Sequence, residues 1–214
     1  MRILKLILFL SLGTAAMLLP IMLQSGWINM KRWKGTAVAL TITVAGTIGA
    51  LLLSYVESQE FGGTSFYGAV FIMPVVMLLL SAALKEPYGH IMDLCAPSAG
   101  AMLFIMKINC WMSGCCAGRY IYGEVPFPSQ IVESINGLVL MFVILAMAKK
   151  KPGRGDLYPW FLVIYGCTRF VLNLFRGDMI PFLFGMTAGN FWSVISVIWG
   201  VLWLLMIRKN QTKE

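Results

Sequence analysis

Residues 131–175 read IVESINGLVLMFVILAMAKKKPGRGDLYPWFLVIYGCTRFVLNLF, and this stretch decides the fold. Its two apolar parts, 131–148 and 157–175, each have the length that a helix needs to cross the hydrocarbon core of a bilayer, about 20 residues. The eight residues between them, KKKPGRGD, are strongly basic and contain the turn-forming residues proline and glycine. The pattern predicts two membrane-spanning helices joined by a short basic loop.

The same pattern recurs along the whole chain. Its 214 residues are 59% hydrophobic and only 12% charged, whereas a soluble domain carries about 25% charged residues. We therefore predict an all-α integral membrane protein, a single polytopic domain over residues 1–214 with about seven transmembrane helices. The first of them is interpreted as a retained helix because it is too long for a signal-peptide core. The predicted spans are 3–24, 36–56, 67–84, 94–115, 131–148, 157–175 and 191–207.

The charges of the loops predict the orientation. The first loop (GWINMKRWKG), the fifth loop (KKKPGRGD) and the C-terminus (RKNQTKE) are basic, while the second loop carries Glu57 and Glu60 and no cation. Basic loops stay on the cytoplasmic side, so the N-terminus is predicted outside and the C-terminus in the cytoplasm. The net charge of +8 is thereby explained by membrane topology, and no nucleic-acid partner is expected.

The five cysteines lie in or beside apolar segments and do not form the spacing pattern of a secreted disulfide scaffold. They are Cys95, Cys110, Cys115, Cys116 and Cys167. Zinc sites commonly pair cysteines two to four residues apart and supply four ligands. Adjacent cysteines at a helix end are expected to diverge, so the sequence predicts no metal and no cofactor.

Two cations lie inside the predicted spans, where ionisable residues are costly and usually functional. Lys107 is about 21 Å along its helix from Asp93, and Arg169 is about 20 Å along its helix from Asp156, at 1.5 Å per residue. Both cations are therefore expected at the same depth in the outer half of the membrane. The alternative is packing, in which Arg169 caps carbonyls or pairs with Glu133.

Further polar residues point to the same face. Tyr165, Arg169, Asn173 and Arg176 follow one another at i, i+4, i+8 and i+11, which makes one helical stripe. The fourth external loop, GRYIYGEVPFPSQIVES, adds polar residues at the start of the fifth span: Arg119, Glu124, Ser129, Gln130 and Glu133. A cationic group of this kind suits a lipid phosphate, because guanidinium groups hold phosphate oxygens by paired hydrogen bonds.

Four ordered motifs resemble one known family, the prolipoprotein diacylglyceryl transferases. MKINCWMSGCCAGR (106–119) resembles that family's G-R-I-G-C-F-L-N-G-C-C-Y-G, and GGTSFYG (62–68) resembles its loop around a catalytic His or Tyr. PSQIVES (128–134) resembles its HPSQLYE, and YGCTRFVLNLFR (165–176) resembles its YGxxRFxxExxR. Together the motifs extend over about half of the chain, and the family's seven-helix plan with the N-terminus outside agrees with the predicted topology.

The resemblance implies an activity. The family moves the diacylglyceryl group of phosphatidylglycerol to the thiol of a lipobox cysteine in a secreted prolipoprotein, at the outer face of the bacterial cytoplasmic membrane. Its partners are thus phosphatidylglycerol, the lipobox peptide and the bilayer. Carried onto this sequence, the catalytic residues are Tyr67, Lys107 and Arg169. The implied substrate-binding residues are Arg119, Gln130, Glu133, Tyr165, Arg176, Asn109 and Gly118.

The chain also departs from the family pattern. Lys107 stands where the family has an arginine, so paired binding of phosphate is lost there, and Tyr67 stands where many members have histidine. Asn173 and Ser113 replace a glutamate and an asparagine, and the fourth loop is short. The only histidine, His90, is predicted in a cytoplasmic loop.

Two alternatives stay open at this stage. The first is an inactive or regulatory lipid-binding membrane protein derived from the same family. The second is a small-solute transporter, which is disfavoured because no inverted repeat is visible and the polar groups cluster toward one face.

Overall fold

The computed structural model describes residues 2–59, 63–122, 125–150, 153–177 and 181–211. These residues form seven α-helices and two short antiparallel hairpins. The helices are α1 (Arg2–Trp27), α2 (Arg32–Ser58), α3 (Phe66–Leu84), α4 (Tyr88–Ser113), α5 (Ser129–Lys150), α6 (Leu157–Asn173) and α7 (Ala188–Gln211). The strands β1 (Tyr120–Tyr122) and β2 (Val125–Pro126) pair between α4 and α5, and β3 (Pro181–Leu183) pairs with β4 (Met186–Thr187) between α6 and α7. Glu60, Gly62, Glu124 and Lys151, which belong to the predicted loops, lie outside the described residues.

Six of the seven described helices are long and apolar enough to cross a membrane. The seventh, α6, has 17 residues, which gives a length of about 26 Å. Large apolar side chains cover the outside of the bundle; Val44, Leu79 and Val75 are each more than half exposed. Such a surface is far more apolar than that of soluble monomers. The chain is a helical multi-pass membrane protein, as the sequence predicted.

The helix boundaries differ from the predicted ones by up to six residues, and the fourth and sixth helices are examples. The fourth helix begins at Tyr88 rather than at 94, so His90 lies in its first turn and not in a loop. It ends at Ser113 rather than at 115, because Gly114 adopts a left-handed conformation with φ of 67° and closes the helix as glycines at this position commonly do. The sixth helix ends at Asn173, two residues before the predicted end.

The basic clusters gather at one end of the bundle, which we call the basic end. Here Lys34 Nζ, in α2, lies 2.6 Å from Glu86 Oε1, just after α3. Asp93 in α4 accepts hydrogen bonds from the backbone N–H of Gly155 (2.7 Å) and of Leu157 (3.0 Å). These bonds join the starts of α2, α4 and α6, and the basic last turns of α5 and α7 lie at this end too. The opposite end therefore carries the ends of α2, α4 and α6 and the starts of α3, α5 and α7.

Two glycines bring α4 and α5 into close contact. A Cβ added at Gly137 would lie 2.8 Å from Phe104 N and 2.9 Å from Gly100 O, so the two backbones approach closely, as membrane helices with small residues at their interface do. Ser134 Oγ also donates a hydrogen bond to Phe104 O at 2.9 Å. This contact fixes the register between the antiparallel helices α4 and α5 near the opposite end.

Gly137→Ala is expected to destabilise the protein by about 1 to 3 kcal/mol, because a methyl group there forces the two backbones apart. Thermal unfolding in detergent micelles measures the effect. The matched control is Gly46→Ala in α2, where a Cβ would meet Ala69 Cβ at 3.6 Å and Met73 Cε at 3.7 Å, ordinary van der Waals contacts. Equal melting temperatures for the two variants would contradict the close α4–α5 packing.

Candidate functional site

Glu133, in the first turns of α5, contacts three cations from two other segments. Lys107 Nζ in α4 lies 2.6 Å from Glu133 Oε2, and Arg169 Nη1 in α6 contacts the same oxygen. Arg176 Nη1, just after α6, lies 3.6 Å from Glu133 Oε1. We call these four residues the charged cluster. Lys107 and Arg169 thus reach the same depth, as residue counting predicted, and the pairing of Arg169 with Glu133 that was considered as an alternative is present.

The charged cluster is almost closed to solvent. The side chains of its three cations are 10 to 12% exposed and that of Glu133 is 3% exposed. Three cations face one carboxylate, and uncompensated charge inside an apolar bundle is costly. Among the residues that the structure describes, the four members of the cluster therefore carry a formal net positive charge, which an anionic ligand can neutralise.

Glu57, in the last turn of α2, is a second acidic residue that sequence reasoning did not assign to the site. Its Oε1 accepts a hydrogen bond from Ser65 Oγ at 2.8 Å, and it lies within electrostatic range of Arg169. Even when Glu57 is counted against Arg169, the cations of the cluster outnumber the carboxylates in the described part of the chain. In the sequence Glu57 was assigned to a loop because it follows a long apolar run. Its contact with Ser65, directly before α3, depends on the packing of α2 against α3 and has no sequence signal.

Tyr67 lies in a buried aromatic layer beside the cluster. Its ring centroid is 5.3 Å from that of Tyr165 and 5.5 Å from that of Phe71. Its hydroxyl lies 2.8 Å from Ser193 Oγ, and Ser193 Oγ donates its own proton to Gly189 O at 2.6 Å. Tyr67 is consequently the donor in this pair, so its hydroxyl proton is directed toward α7. Nothing in the local sequence indicates this contact, because Ser193 is 126 residues away.

Backbone pairing fixes the position of Arg176. Gly118 and Arg176 form an antiparallel β-bridge, Gly177 N donates to Ala117 O at 3.1 Å, and Gly118 N donates to Phe127 O at 3.1 Å. A Cβ at Gly118 would collide with the carbonyl of Phe127, so only glycine fits. Gly118 was proposed as substrate-binding; in the structure its backbone joins the segment after α4 to the segment after α6.

The side chains at the start of α5 hold the turn that follows α4. Gln130 Nε2 donates to Cys115 O at 2.8 Å, and Ser129 Oγ donates to Cys116 O at 2.7 Å. The Sγ atoms of Cys110, Cys115 and Cys116 lie within 4.8 Å of one another. The expectation that adjacent cysteines diverge here is wrong, because Cys116 has a left-handed φ of 59°, which turns its side chain back toward the helix end.

An apolar groove between α5 and α6 opens beside the charged cluster. Its volume is about 460 Å³, and its lining residues are Val132, Ile135, Asn136, Cys167, Thr168, Val171 and Leu172. Asn136 Nδ2 donates a hydrogen bond to Thr168 Oγ1 at 3.2 Å across it. Val132 and Thr168 directly precede Glu133 and Arg169 in the sequence, so the groove is lined by sequence neighbours of two members of the charged cluster.

The sequence model of the prolipoprotein diacylglyceryl transferase family matches residues 6–206 of the chain. The chain belongs to this family. It is 27% identical over 171 residues to the phosphatidylglycerol–prolipoprotein diacylglyceryl transferase of Polaromonas naphthalenivorans. This aligned region covers 72% of the chain and 63% of that relative. The enzymes of the same name from Clostridium tetani and Acinetobacter baumannii are 25% and 29% identical, over 77% and 78% of the chain and 77% and 72% of their own lengths. The chain thus matches slightly less than two thirds of the length of the Polaromonas relative.

In this member of the prolipoprotein diacylglyceryl transferase family, some of the expected site residues lie apart from the charged cluster. Arg119 is exposed, and its backbone N–H donates to Phe175 O at 3.0 Å. Asn109 is half-buried and accepts a long hydrogen bond of 3.5 Å from Ser113 Oγ. The structure does not bring Arg119 or Asn109 into contact with Glu133, and their substrate-binding roles stay predictions.

Asn173, the departure from the family's glutamate in the polar stripe, forms its hydrogen bonds with the segment around the start of α7. Its Nδ2 donates to Thr187 Oγ1 at 2.6 Å and to Asn190 Oδ1 at 3.0 Å, which joins the end of α6 to the start of α7. A single carboxylate, Glu133, therefore contacts the three cations in this transferase family member, among the residues that the structure describes.

Proposed function

We propose that the chain transfers a diacylglyceryl group from phosphatidylglycerol to the thiol of a cysteine in a secreted prolipoprotein, at the outer face of the bacterial cytoplasmic membrane. The observation that carries the proposal is the charged cluster, a buried group with net positive charge at the end of an apolar bundle. A lipid phosphate meets both requirements, because its headgroup is anionic and its chains lie in the bilayer. The names of the relatives specify the same lipid and the same protein substrate.

The proposed step is a substitution at carbon. The acceptor thiolate attacks the glycerol carbon that carries the phosphate, a C–S bond forms, and the C–O bond to phosphate breaks. The electron pair of that bond leaves on glycerol phosphate, and the thiol has released its proton to water beforehand. Charge therefore builds up on the departing phosphate, where buried cations stabilise it most effectively.

We propose a role for each member of the charged cluster. Arg169 offers a planar fork that binds two phosphate oxygens at once, and Lys107 adds a compact point charge. Arg176 is placed next to them by the β-bridge to Gly118. Glu133 holds all three cations on its two oxygens and positions them.

In the proposed mechanism Tyr67 does not remove the proton from the acceptor thiol. The Tyr67 hydroxyl already donates to Ser193, and an ordinary tyrosine has a pKa near 10. Cations close to a thiol lower its pKa, so the charged cluster itself favours the thiolate form of the acceptor. Tyr67 is then expected to shape the wall of the site through its contact with Tyr165.

The groove between α5 and α6 suits one acyl chain of the lipid. Its lining is mostly apolar, and it lies between α5 and α6, the two helices that carry Glu133 and Arg169. A chain lying in this groove would bring the lipid headgroup to the charged cluster without leaving the membrane.

A direct transfer assay tests the proposal. The purified chain is incubated in phosphatidylglycerol vesicles with a lipobox peptide, and the thioether product is followed by mass spectrometry. A peptide with serine in place of the acceptor cysteine and vesicles of phosphatidylcholine serve as controls. The proposal is supported if product forms only when the cysteine peptide and phosphatidylglycerol are both present. It is overturned if no product forms under any condition.

Arg169→Lys is expected to lower the transfer rate by about one to two orders of magnitude, since the charge is kept while the paired hydrogen bonds are lost. The melting temperature should change little, because lysine can still pair with Glu133. Transfer rates in the vesicle assay and thermal unfolding of the same samples measure both effects. A variant with the parental rate would make Arg169 a structural residue.

The proposed orientation predicts which loops react from outside the cell. Single cysteines introduced at Lys31 and Lys150 are expected to be protected from an impermeant thiol reagent in intact cells, whereas one at the exposed Tyr120 should react. The background lacks the five native cysteines, and labelling after lysis provides the control. Labelling of the Lys150 position from outside would place the charged cluster on the cytoplasmic side and contradict the proposed acceptor.

A further inference from the structure

Three cysteine thiols at the end of α4 take no part in the proposed transfer reaction. The Sγ atoms of Cys110, Cys115 and Cys116 lie within 4.8 Å of one another, and none of the chain's five cysteines forms a disulfide. Cys110 and Cys116 are half-buried, and Cys115 is exposed. We propose that these three thiols form a binding site for a thiophilic d10 cation, Zn²⁺ or Cu⁺.

The local backbone holds the three side chains together before any ion binds. Cys115 N donates to Cys110 O at 3.1 Å and Gly114 N donates to Trp111 O at 3.2 Å, which is the Schellman pattern of a helix end. After this turn Cys116 adopts a positive φ of 59°. A non-glycine residue in this conformation is strained and persists where its surroundings enforce it.

The start of α5 supplies that enforcement. Gln130 Nε2 and Ser129 Oγ donate hydrogen bonds to the carbonyl oxygens of Cys115 and Cys116, at 2.8 and 2.7 Å. The turn is thus held by backbone hydrogen bonds at the end of α4 and by side-chain hydrogen bonds from the start of α5. An ion can bind to this preorganised turn without a rearrangement of the helices.

The distances fit a thiolate-bound ion. A Zn–S bond of about 2.3 Å in a tetrahedral site places the sulfur atoms about 3.8 Å apart, so the thiols need to close by at most about 1 Å from the observed 4.8 Å limit. Three sulfur ligands leave a fourth position, and the exposure of Cys115 opens that position to water. Three protein ligands and one open position are the arrangement that zinc adopts in sites that exchange ligands.

The donor set determines the class of ion. Within this group every ligand atom is a cysteine sulfur, and soft thiolates select Zn²⁺ and Cu⁺ over Mg²⁺ and Ca²⁺, which prefer oxygen. Three thiolates with one Zn²⁺ carry a residual charge of about −1 by formal count. Lys107 lies within electrostatic range of Cys110 and Cys115, so the nearby ammonium stabilises the loaded site.

Metal binding by the purified, reduced chain tests the proposal without reference to lipid transfer. The chain is titrated with Zn²⁺ and, anaerobically, with Cu⁺, each against a competing chelator, and bound metal is counted by elemental analysis. Co²⁺ in place of Zn²⁺ gives a thiolate charge-transfer absorption that reports the ligands directly. We expect one bound ion per chain. Comparison of the Zn²⁺ and Cu⁺ titrations shows which ion binds more tightly.

Serine substitutions identify the ligands. Cys110→Ser and Cys116→Ser are each expected to weaken binding by at least about a hundredfold, since even the loss of a supporting contact to a metal ligand weakens binding tenfold to a hundredfold. Cys167→Ser in α6 is the matched control, because Cys167 is not one of the three clustered thiols. Its affinity should equal that of the parent.

Three results would overturn the proposal. The first is no binding of either ion by the reduced chain, and the second is equal affinity in the parent and in Cys110→Ser. The third is a chain that is isolated with a disulfide between two of the three thiols and that still binds no ion after this disulfide is reduced. Thermal unfolding of each variant shows that it is folded, and because metal counting does not use the transfer assay, failure here is distinguishable from failure of the proposed function.

Discussion

Lys107→Met is expected to lower the rate of diacylglyceryl transfer by about a hundredfold, which corresponds to about 3 kcal/mol of lost stabilisation of the leaving phosphate. Methionine keeps much of the length and volume of the lysine stem while it removes the charge. The effect is expected to be large because Lys107 is buried in the charged cluster and shares Glu133 Oε2 with Arg169. Transfer rates in phosphatidylglycerol vesicles measure it.

Two further substitutions make this result interpretable. Lys107→Arg restores the residue that the family has at this position and is expected to preserve or raise the rate, since a guanidinium adds paired hydrogen bonds to phosphate. Lys34→Met is the matched control, because Lys34 forms an ion pair of the same 2.6 Å length with Glu86 at the basic end. It should transfer at the parental rate. Parental transfer by Lys107→Met would instead make Lys107 a packing residue.

Much of the fold could be predicted from the sequence because a bilayer imposes simple constraints. Each span needs a long apolar run, and the described helices fall on the predicted runs with differences of a few residues at their ends. The early start of α4 was not predictable from hydropathy alone, since His90 and Asp93 are polar. The structure explains Asp93 by its two hydrogen bonds to backbone N–H groups before and at the start of α6.

Part of the candidate site was predictable for a similar reason. Helices rise at a constant rate, so counting residues from the basic end placed Lys107 and Arg169 at one depth. It could not show that Glu133 would contact both of them, which depends on the close approach of α4 and α5 at Gly100 and Gly137. Sequence patterns describe the position of a residue along its helix better than its partner on another helix.

The remaining features depend on contacts between distant segments or on single backbone torsions. The hydrogen bond between Tyr67 and Ser193 joins α3 to α7. Asn173 forms a hydrogen bond with Asn190 at the start of α7, although it belongs to the same helical stripe as Arg169. The positive φ of Cys116 reverses the direction expected for adjacent cysteines. None of these has a local sequence signal, because each is enforced by a neighbour that only the tertiary structure supplies.

Glu133→Gln is expected to destabilise the folded protein by about 3 to 5 kcal/mol, because it leaves buried cations without their carboxylate. The amide has nearly the same shape as the carboxylate, so the loss is of charge rather than of packing. Lys107, Arg169 and Arg176 would then repel one another in a site that is almost closed to solvent. Chemical unfolding in mixed micelles measures the free energy of unfolding.

The chain offers a control with the same chemistry and a different depth. Glu86→Gln breaks the Lys34–Glu86 ion pair, whose length is also 2.6 Å but whose side chains are more exposed, at 16% and 19%. Lys34 keeps its hydrogen bond to Leu84 O, so the loss of stability should be smaller than for Glu133→Gln. Adding Lys107→Met to Glu133→Gln should restore part of the lost stability, because one of the unpaired charges is removed together with its repulsion. Transfer should stay at least about a hundredfold below the parental rate, as in Lys107→Met alone. If Glu133→Gln is as stable as Glu86→Gln, the carboxylate does not hold the cations together, and their convergence must be attributed to the helix packing alone.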